Sequence, residues 1–159
     1  MLSERIVKNG SLVKIDYTLS TEDGIIVDTS IGFEADNSGI LDSDREYKPI
    51  DIRVGSYETI KGLEDALMGM KNKESKTFII NPSDGFGERD ENKVKKLSKD
   101  LLNMNHEPVV GQTIVLLHED KTMLGIIKGV FKNNVLVDFN HPLAGKKLIC
   151  TLKVIKVYN

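Results

Sequence analysis

The sequence contains no tryptophan and one cysteine, Cys150. A lone cysteine excludes an internal disulfide framework and suits a reducing compartment, so a cytoplasmic location is expected. No apolar run approaches the ~20 residues of a membrane span. The opening residues MLSERIVKNG lack the apolar core of a signal peptide. There is no Gly-rich phosphate loop and no His-Glu-x-x-His. His106, His118 and His141 are scattered, whereas a zinc site needs clustered ligands, so neither metal nor cofactor is expected. The net charge of -2 offers no electrostatic surface for nucleic acid or anionic membrane. No repeat or low-complexity tract interrupts the chain.

What is present is ordinary for a globular protein: 159 residues, 40% hydrophobic and 29% charged. That length allows one domain, or one domain with an insertion. In SLVKIDYTLS, Val13, Ile15, Tyr17 and Leu19 alternate with Leu12, Lys14, Asp16 and Thr18, the pattern of a half-buried strand. TEDG is turn chemistry and IIVDTS restarts a strand, so residues 11–30 read as a hairpin. Residues 31–49 read as a long loop, and loops of that length are uncommon unless functional. IDIRV is a short strand. YETIKGLEDALMGM is the best helix, with Ile60, Leu63, Leu67 and Met70 at helical spacing, Thr59 as cap, and Glu64 and Asp65 in the first turns. SKTFIIN is a strand closed by Asn81-Pro82, and SDGFG is a turn. After the charged ERDENKVKKLSKDLL, with a short helix expected around Val94–Leu97, three strands follow in EPVVGQTIVLL, MLGIIKGVF and NNVLVDF. The final KLICTLKVIKV alternates through Leu148, Cys150, Leu152 and Val154. The class is α+β and mostly antiparallel.

Few residues carry chemistry by themselves. Asp28 follows Ile25-Ile26-Val27 and precedes Thr29-Ser30. It reads either as a strand-end carboxylate capping the next turn or as a functional group. Cys150, on an alternating strand, reads as a buried thiol rather than a nucleophile. The connection VDFNHPLAGKKL places the apolar Leu143 and Ala144 on a segment that should lie at the surface.

Taken in order, VKIDYTL, DGIIVDTS, PIDIRVG, TIKGLEDALMGM, INPSDGFG and LICTLKVIKV resemble the core of the FKBP-type peptidyl-prolyl isomerases along nearly the whole chain. Residues 88–137 interrupt that core, as in the SlyD-like branch, where a chaperone domain is inserted in the flap. The long loop at 31–49 resembles archaeal members of that branch. The resemblance implies an antiparallel sheet wrapped on one short helix, formed by residues 1–87 and 138–159, with a small mostly-β insert at 88–137. VDFNHPLAGKKL then becomes the return from the insert. It places His141 and Leu143 at the rim of a proline-binding groove, although Leu143 could equally pack between domains.

Carried over residue by residue, the resemblance assigns Tyr17, Asp28, Ile60 and Phe86 to catalysis. It assigns Val27, Ile50, Thr59, Leu63, His141, Leu143 and Cys150 to substrate binding. Ile60 N–H would hold the substrate carbonyl. Ile50, Leu63 and Cys150 replace aromatic residues of the best-known pattern, Val27 replaces a phenylalanine, and Phe86 replaces a tyrosine and so lacks its hydroxyl. An aliphatic, wider pocket is expected. The implied activity is rotation about X–Pro bonds, with unfolded or proline-containing polypeptides as partners, no nucleic acid or membrane, and a monomeric protein. Met104 and Met123 lie in the insert, either as core or as adaptable binding surface. The alternative is a holdase with little isomerase activity, favoured by Phe86 and Cys150. Metal delivery by a His- and Cys-rich tail is not expected, since the sequence ends in VIKVYN.

Overall fold

A computed structural model gives the structure of residues 4–158. The chain divides into two compact units, one formed by residues 1–87 and 145–159, the other by Glu88–Ala144.

The first unit is built on two long strands. In β1 (Leu12–Thr21) the alternation expected from the sequence is realised, with Val13, Ile15, Tyr17 and Leu19 buried and the intervening residues half-exposed. In the last strand, Leu148–Val157, residues Leu148, Cys150, Leu152 and Val154 are buried in the same rhythm. The two pair antiparallel along their length. On the other edge of β1, two short strands share the space: β2 (Ile26–Thr29) pairs with Thr18–Ser20 and β3 (Ile50–Arg53) with Leu12–Ile15. The 31–49 connection therefore leaves and rejoins the sheet on either side of Tyr17. It is not all loop, because Gly32–Asn37 forms a short helix, α1. β4 (Ser75–Ile80) pairs with the last strand and completes five antiparallel strands.

Helix α2 is shorter than its periodicity predicts, running Lys61–Leu67. Its apolar stripe is nevertheless in place: Leu63, Leu67 and Met70 are buried in the sheet's core and Ile60 packs against it. Gly69, at φ 82, ends the helix, and its N–H goes to Val7 O. Thr59 is not the cap. Ile60 holds that position without a side-chain bond, while the Thr59 hydroxyl donates to Glu64.

The second unit is a four-stranded antiparallel sheet in the order β5-β8-β7-β6, with β5 at Val94–Ser98, β6 at Thr113–His118, β7 at Lys121–Val130 and β8 at Asn134–Asp138. The last strand of the first unit is then β9. Val94–Leu97, expected as helix, is strand, because it pairs with β8 from Val94↔Asp138 to Ser98↔Asn134. Ile114, Ile127, Val135 and Val137 form the buried core. Gly125 is required there, since a Cβ would meet Val137 Cγ1 at 2.4 Å. The unit ends at Ala144, beyond the 137/138 boundary expected from the sequence. The reason is a polar clamp. Asp138 accepts from Arg89 (2.9 Å) and from Asn140 (2.9 Å), and the Asn140 amide in turn bonds Asp90 N–H and C=O. Across the junction, Gly145 N–H donates to Gly87 O at 2.7 Å, so the two chain ends of the first unit meet.

Candidate active site

The first unit holds a cavity of about 200 Å³ lined by Tyr17, Leu19, Asp28, Ile50, Thr59, Ile60, Leu63 and Phe86. Its walls follow from the pairing just described. β1 supplies Tyr17 and Leu19, β2 supplies Asp28, β3 begins with Ile50, and α2 and its entry supply Thr59, Ile60 and Leu63. Four of the eight lining residues are aliphatic.

Polar groups gather at one side. The Tyr17 hydroxyl donates to Asp28 Oδ2 at 2.7 Å. Arg45 reaches in from the 31–49 segment, donating through Nη1 to Asp28 Oδ1 (2.7 Å) and through Nη2 to the Tyr17 oxygen (3.1 Å). Thr29 N–H also binds Asp28 Oδ1 at 2.8 Å. Every acidic oxygen is thus occupied and oriented. Burial pushes the Tyr17 phenol up to about 12, helped by its bond to Asp28, so it remains a donor at all working pH values. Arg45 is raised above its already high ordinary value by Asp28. The Arg45–Asp28 pair is more than a third exposed on each side. It contributes little to stability, and its effect is geometric.

Arg45 is itself held. Its guanidinium lies 4.9 Å from the centre of the Tyr47 ring. Asp42 N–H binds the Tyr47 hydroxyl at 2.9 Å, and Gly32 sits so close that a Cβ would meet Tyr47 Cβ at 3.2 Å. The 31–49 segment is therefore a folded strap that delivers a cation to the site.

On the opposite wall, Ile60 begins α2, its carbonyl accepting from Leu63 and Glu64 N–H. Among the described residues no acceptor takes the Ile60 N–H. Ile60 lines the same hollow as the Asp28 carboxylate and the Tyr17 phenol. No cluster of three or more His, Cys, Asp or Glu among the described residues could hold a metal.

Comparison with known proteins gives the family. Residues 3–102 match the model of the FKBP-type peptidyl-prolyl cis-trans isomerase family. The chain is 41% identical to a short-type peptidyl-prolyl cis-trans isomerase of Methanocaldococcus jannaschii over 94% of its own length and 92% of that protein. This chain belongs to the FKBP-type peptidyl-prolyl cis-trans isomerases. It is also similar to the FKBP-type isomerase SlyD of Pasteurella multocida, at 31% identity over 95% of this chain and 68% of that one. The FKBP-type 16 kDa isomerase of Escherichia coli is 28% identical over 95% of this chain and 93% of its own. As a prolyl isomerase the protein acts on proline-containing polypeptides.

Of the residues expected in the isomerase site, Tyr17, Asp28, Ile50, Thr59, Ile60, Leu63 and Phe86 come together around the cavity. Val27 packs into the core beside Asp28 instead of lining the cavity. Cys150 is wholly buried on β9, opposite Leu19, and burial pushes its thiol up to about 12. It does not line the cavity. His141 and Leu143 belong to the second unit, where the Leu143 N–H donates to His141 Nδ1 at 3.1 Å. Leu19, which lines the cavity, and Arg45, which bonds Asp28, are not singled out by the sequence: Leu19 reads as any inward strand residue, and Arg45 lies in a segment whose fold the sequence does not announce.

Proposed function

We propose that this cavity is the catalytic groove and that the second unit holds unfolded chains for it. The observation that carries the first part is the arrangement of an aliphatic hollow between the Asp28–Tyr17–Arg45 network and the unaccepted Ile60 N–H. Rotation about an X–Pro bond faces a barrier of ~18–20 kcal/mol because it breaks amide resonance. The twisted amide is less polar than the planar one, so an apolar, water-poor groove favours it. Leu19, Ile50 and Leu63 take the prolyl ring. Ile60 N–H holds the adjoining carbonyl, and Tyr17 and Asp28 present fixed polar groups to the rotating one. Each such contact contributes ~1–3 kcal/mol. No proton transfer is required of Asp28. Phe86 closes the groove without a hydroxyl, and Val27 and Cys150 shape it from the core.

The second part rests on apolar residues left at the surface of the second unit. Val115 and Leu117 stand exposed on β6, an edge strand, and Leu124 on its neighbour β7. Beside them Leu97, Leu101, Leu116, Met123 and Phe139 line a hollow of about 330 Å³. An unpaired edge with apolar side chains suits an extended, unfolded polypeptide. A holding site tethered to a groove raises the local concentration of substrate to roughly millimolar. His141 and Leu143 are read as contacts for the polypeptide chain rather than for the proline. A cytoplasmic monomer fits the single buried thiol and the net charge of -2.

The groove assignment is tested by Ile60→Pro, which removes the N–H while keeping a φ near the present -70. Turnover of a short proline peptide should fall at least tenfold with the melting curve native-like. Turnover within twofold of the parent would remove Ile60 from the site.

A further inference from the structure

Glu64 is a carboxylate with 1% of its surface exposed, on the first turn of α2. An isolated buried charge is expensive, so a fully buried acid persists only with its lone pairs used. Here they are used by one short stretch of chain. Glu64 Oε1 accepts from Gly55 N–H (3.1 Å) and Tyr57 N–H (3.0 Å), and Oε2 from the Thr59 N–H (3.0 Å) and hydroxyl (2.8 Å). The residues before Ile60 are consequently wound around the carboxylate instead of continuing the helix.

That stretch is strained. Tyr57 has φ 53, a left-handed conformation unfavourable for a bulky residue. Such outliers persist where the surroundings over-determine them, and they gather at functional sites. The stretch ends on Thr59 and Ile60, two walls of the groove. A leucine at position 64 would serve the helix equally well; it could not hold this loop.

We propose that Glu64 is a positioning residue for prolyl isomerisation: its carboxylate holds the 55–59 loop, Tyr57 included, so that Thr59 and the Ile60 N–H stand fixed at the groove wall. The inference rests on, and deepens, the reading of Ile60 as the group that binds the substrate carbonyl.

The test is a double-mutant cycle on the full chain. Glu64→Gln keeps the shape but turns an NH₂ toward N–H donors. Tyr57→Gly removes the conformational cost the carboxylate offsets. Turnover of a short proline peptide is measured per folded molecule in the parent, both single variants and the double variant. The Gln variant should lose at least tenfold in kcat/KM in the parent background and no more than threefold in the Tyr57→Gly background, a dependence a purely structural role would not produce. A loss under twofold, or equal losses in both backgrounds, overturns the proposal. Should the Gln variant fail to fold, amide exchange in the parent decides. Gly55, Tyr57 and Thr59 N–H should exchange together and more than a hundredfold slower than in a free peptide; exchange near the free rate overturns it. Impairment by Ile60→Pro with none by Glu64→Gln would sink this inference and leave the groove reading standing.

Discussion

In the first unit Leu19, Ile50, Ile60 and Leu63 face a small cavity, and sixteen buried residues among those described, Leu19 and Leu63 included, form the core. In the second, four residues are buried in the core while Val115, Leu117 and Leu124 face outward. Burying an aliphatic side chain contributes ~1.5–3 kcal/mol, so the second unit has far less holding it together. Under the proposed function, the contrast in core size divides the labour. Rotating one bond needs walls fixed to fractions of an ångström, which a large core and a strap such as 31–49 can supply. Holding many different chains needs accessible apolar surface, and a small core tolerates leaving it exposed.

The sharpest way to break the comparison is Gly125→Val. Its Cβ would fall 2.4 Å from Val137 and 2.8 Å from the Phe139 ring. Overpacking of this kind costs ~1–3 kcal/mol or more, enough to unfold a unit with so small a core. Calorimetry should show the second unit's transition lost and the first unit's kept. Suppression of aggregation of an unfolded protein should vanish, while proline-peptide turnover stays within twofold. Next in size is Asp28→Ala, which should lower peptide turnover about tenfold, the equivalent of ~1.4 kcal/mol in the barrier. Aggregation assays should not register it. Peptide turnover within twofold of the parent, with a native-like melting curve, would remove Asp28 from the site. Smaller again is Leu117→Glu, a charge on the exposed edge of β6. Light scattering should report about threefold weaker suppression of aggregation, with no change in peptide turnover.

The smallest expected effect is on pH. Burial raises the Glu64 carboxyl, but the Thr59, Tyr57 and Gly55 donors outweigh it and hold the group below its ordinary range. Asp138 is likewise lowered in the second unit, where Asn140 and Arg89 outweigh burial. A depressed carboxyl stabilises the fold above its unfolded pKa, and that stability is lost as pH falls through the folded value. Both units should therefore weaken on acidification below roughly pH 4. Glu64→Gln should flatten the acid limb of the first unit's transition only, and Asp138→Asn that of the second. A shared response would show that the units do not unfold separately.

The sequence was most legible where one physical signal dominated. The alternation in β1 and β9 and the Ile60–Leu63–Leu67–Met70 stripe gave the core of the first unit correctly. Val94 and Leu97, three residues apart, suggested a helix, but pairing with β8 made them strand; a short apolar run cannot distinguish the two. Of the cavity's lining residues, Tyr17, Asp28, Ile50 and Leu63, on strands and helix, and Thr59, Ile60 and Phe86, beside them, are positions the family resemblance singles out. Arg45 is not, because its position depends on the Tyr47 ring and the close approach of Gly32, which only the folded strap brings together. Glu64 was visible as a helix acid, but its four donors come from a loop whose course depends on them. The 137/138 boundary missed the Asp138–Asn140–Asp90 clamp, which depends on contacts between residues about fifty positions apart.

The most direct measurement of the division between the units is a single deletion. Gly87 and Gly145 already meet through a 2.7 Å hydrogen bond, so a short Gly-containing loop can replace residues 88–144 without moving the first unit. Loop length itself is a small term, ~0.6 kcal/mol per doubling. The shortened protein should rotate a short proline peptide at close to the parent rate. On a refolding protein whose slow step is a prolyl bond, it should be at least tenfold slower, because the tethered holding site is gone. Equal proportional losses on the two substrates would contradict the account and make the second unit a structural part of the groove.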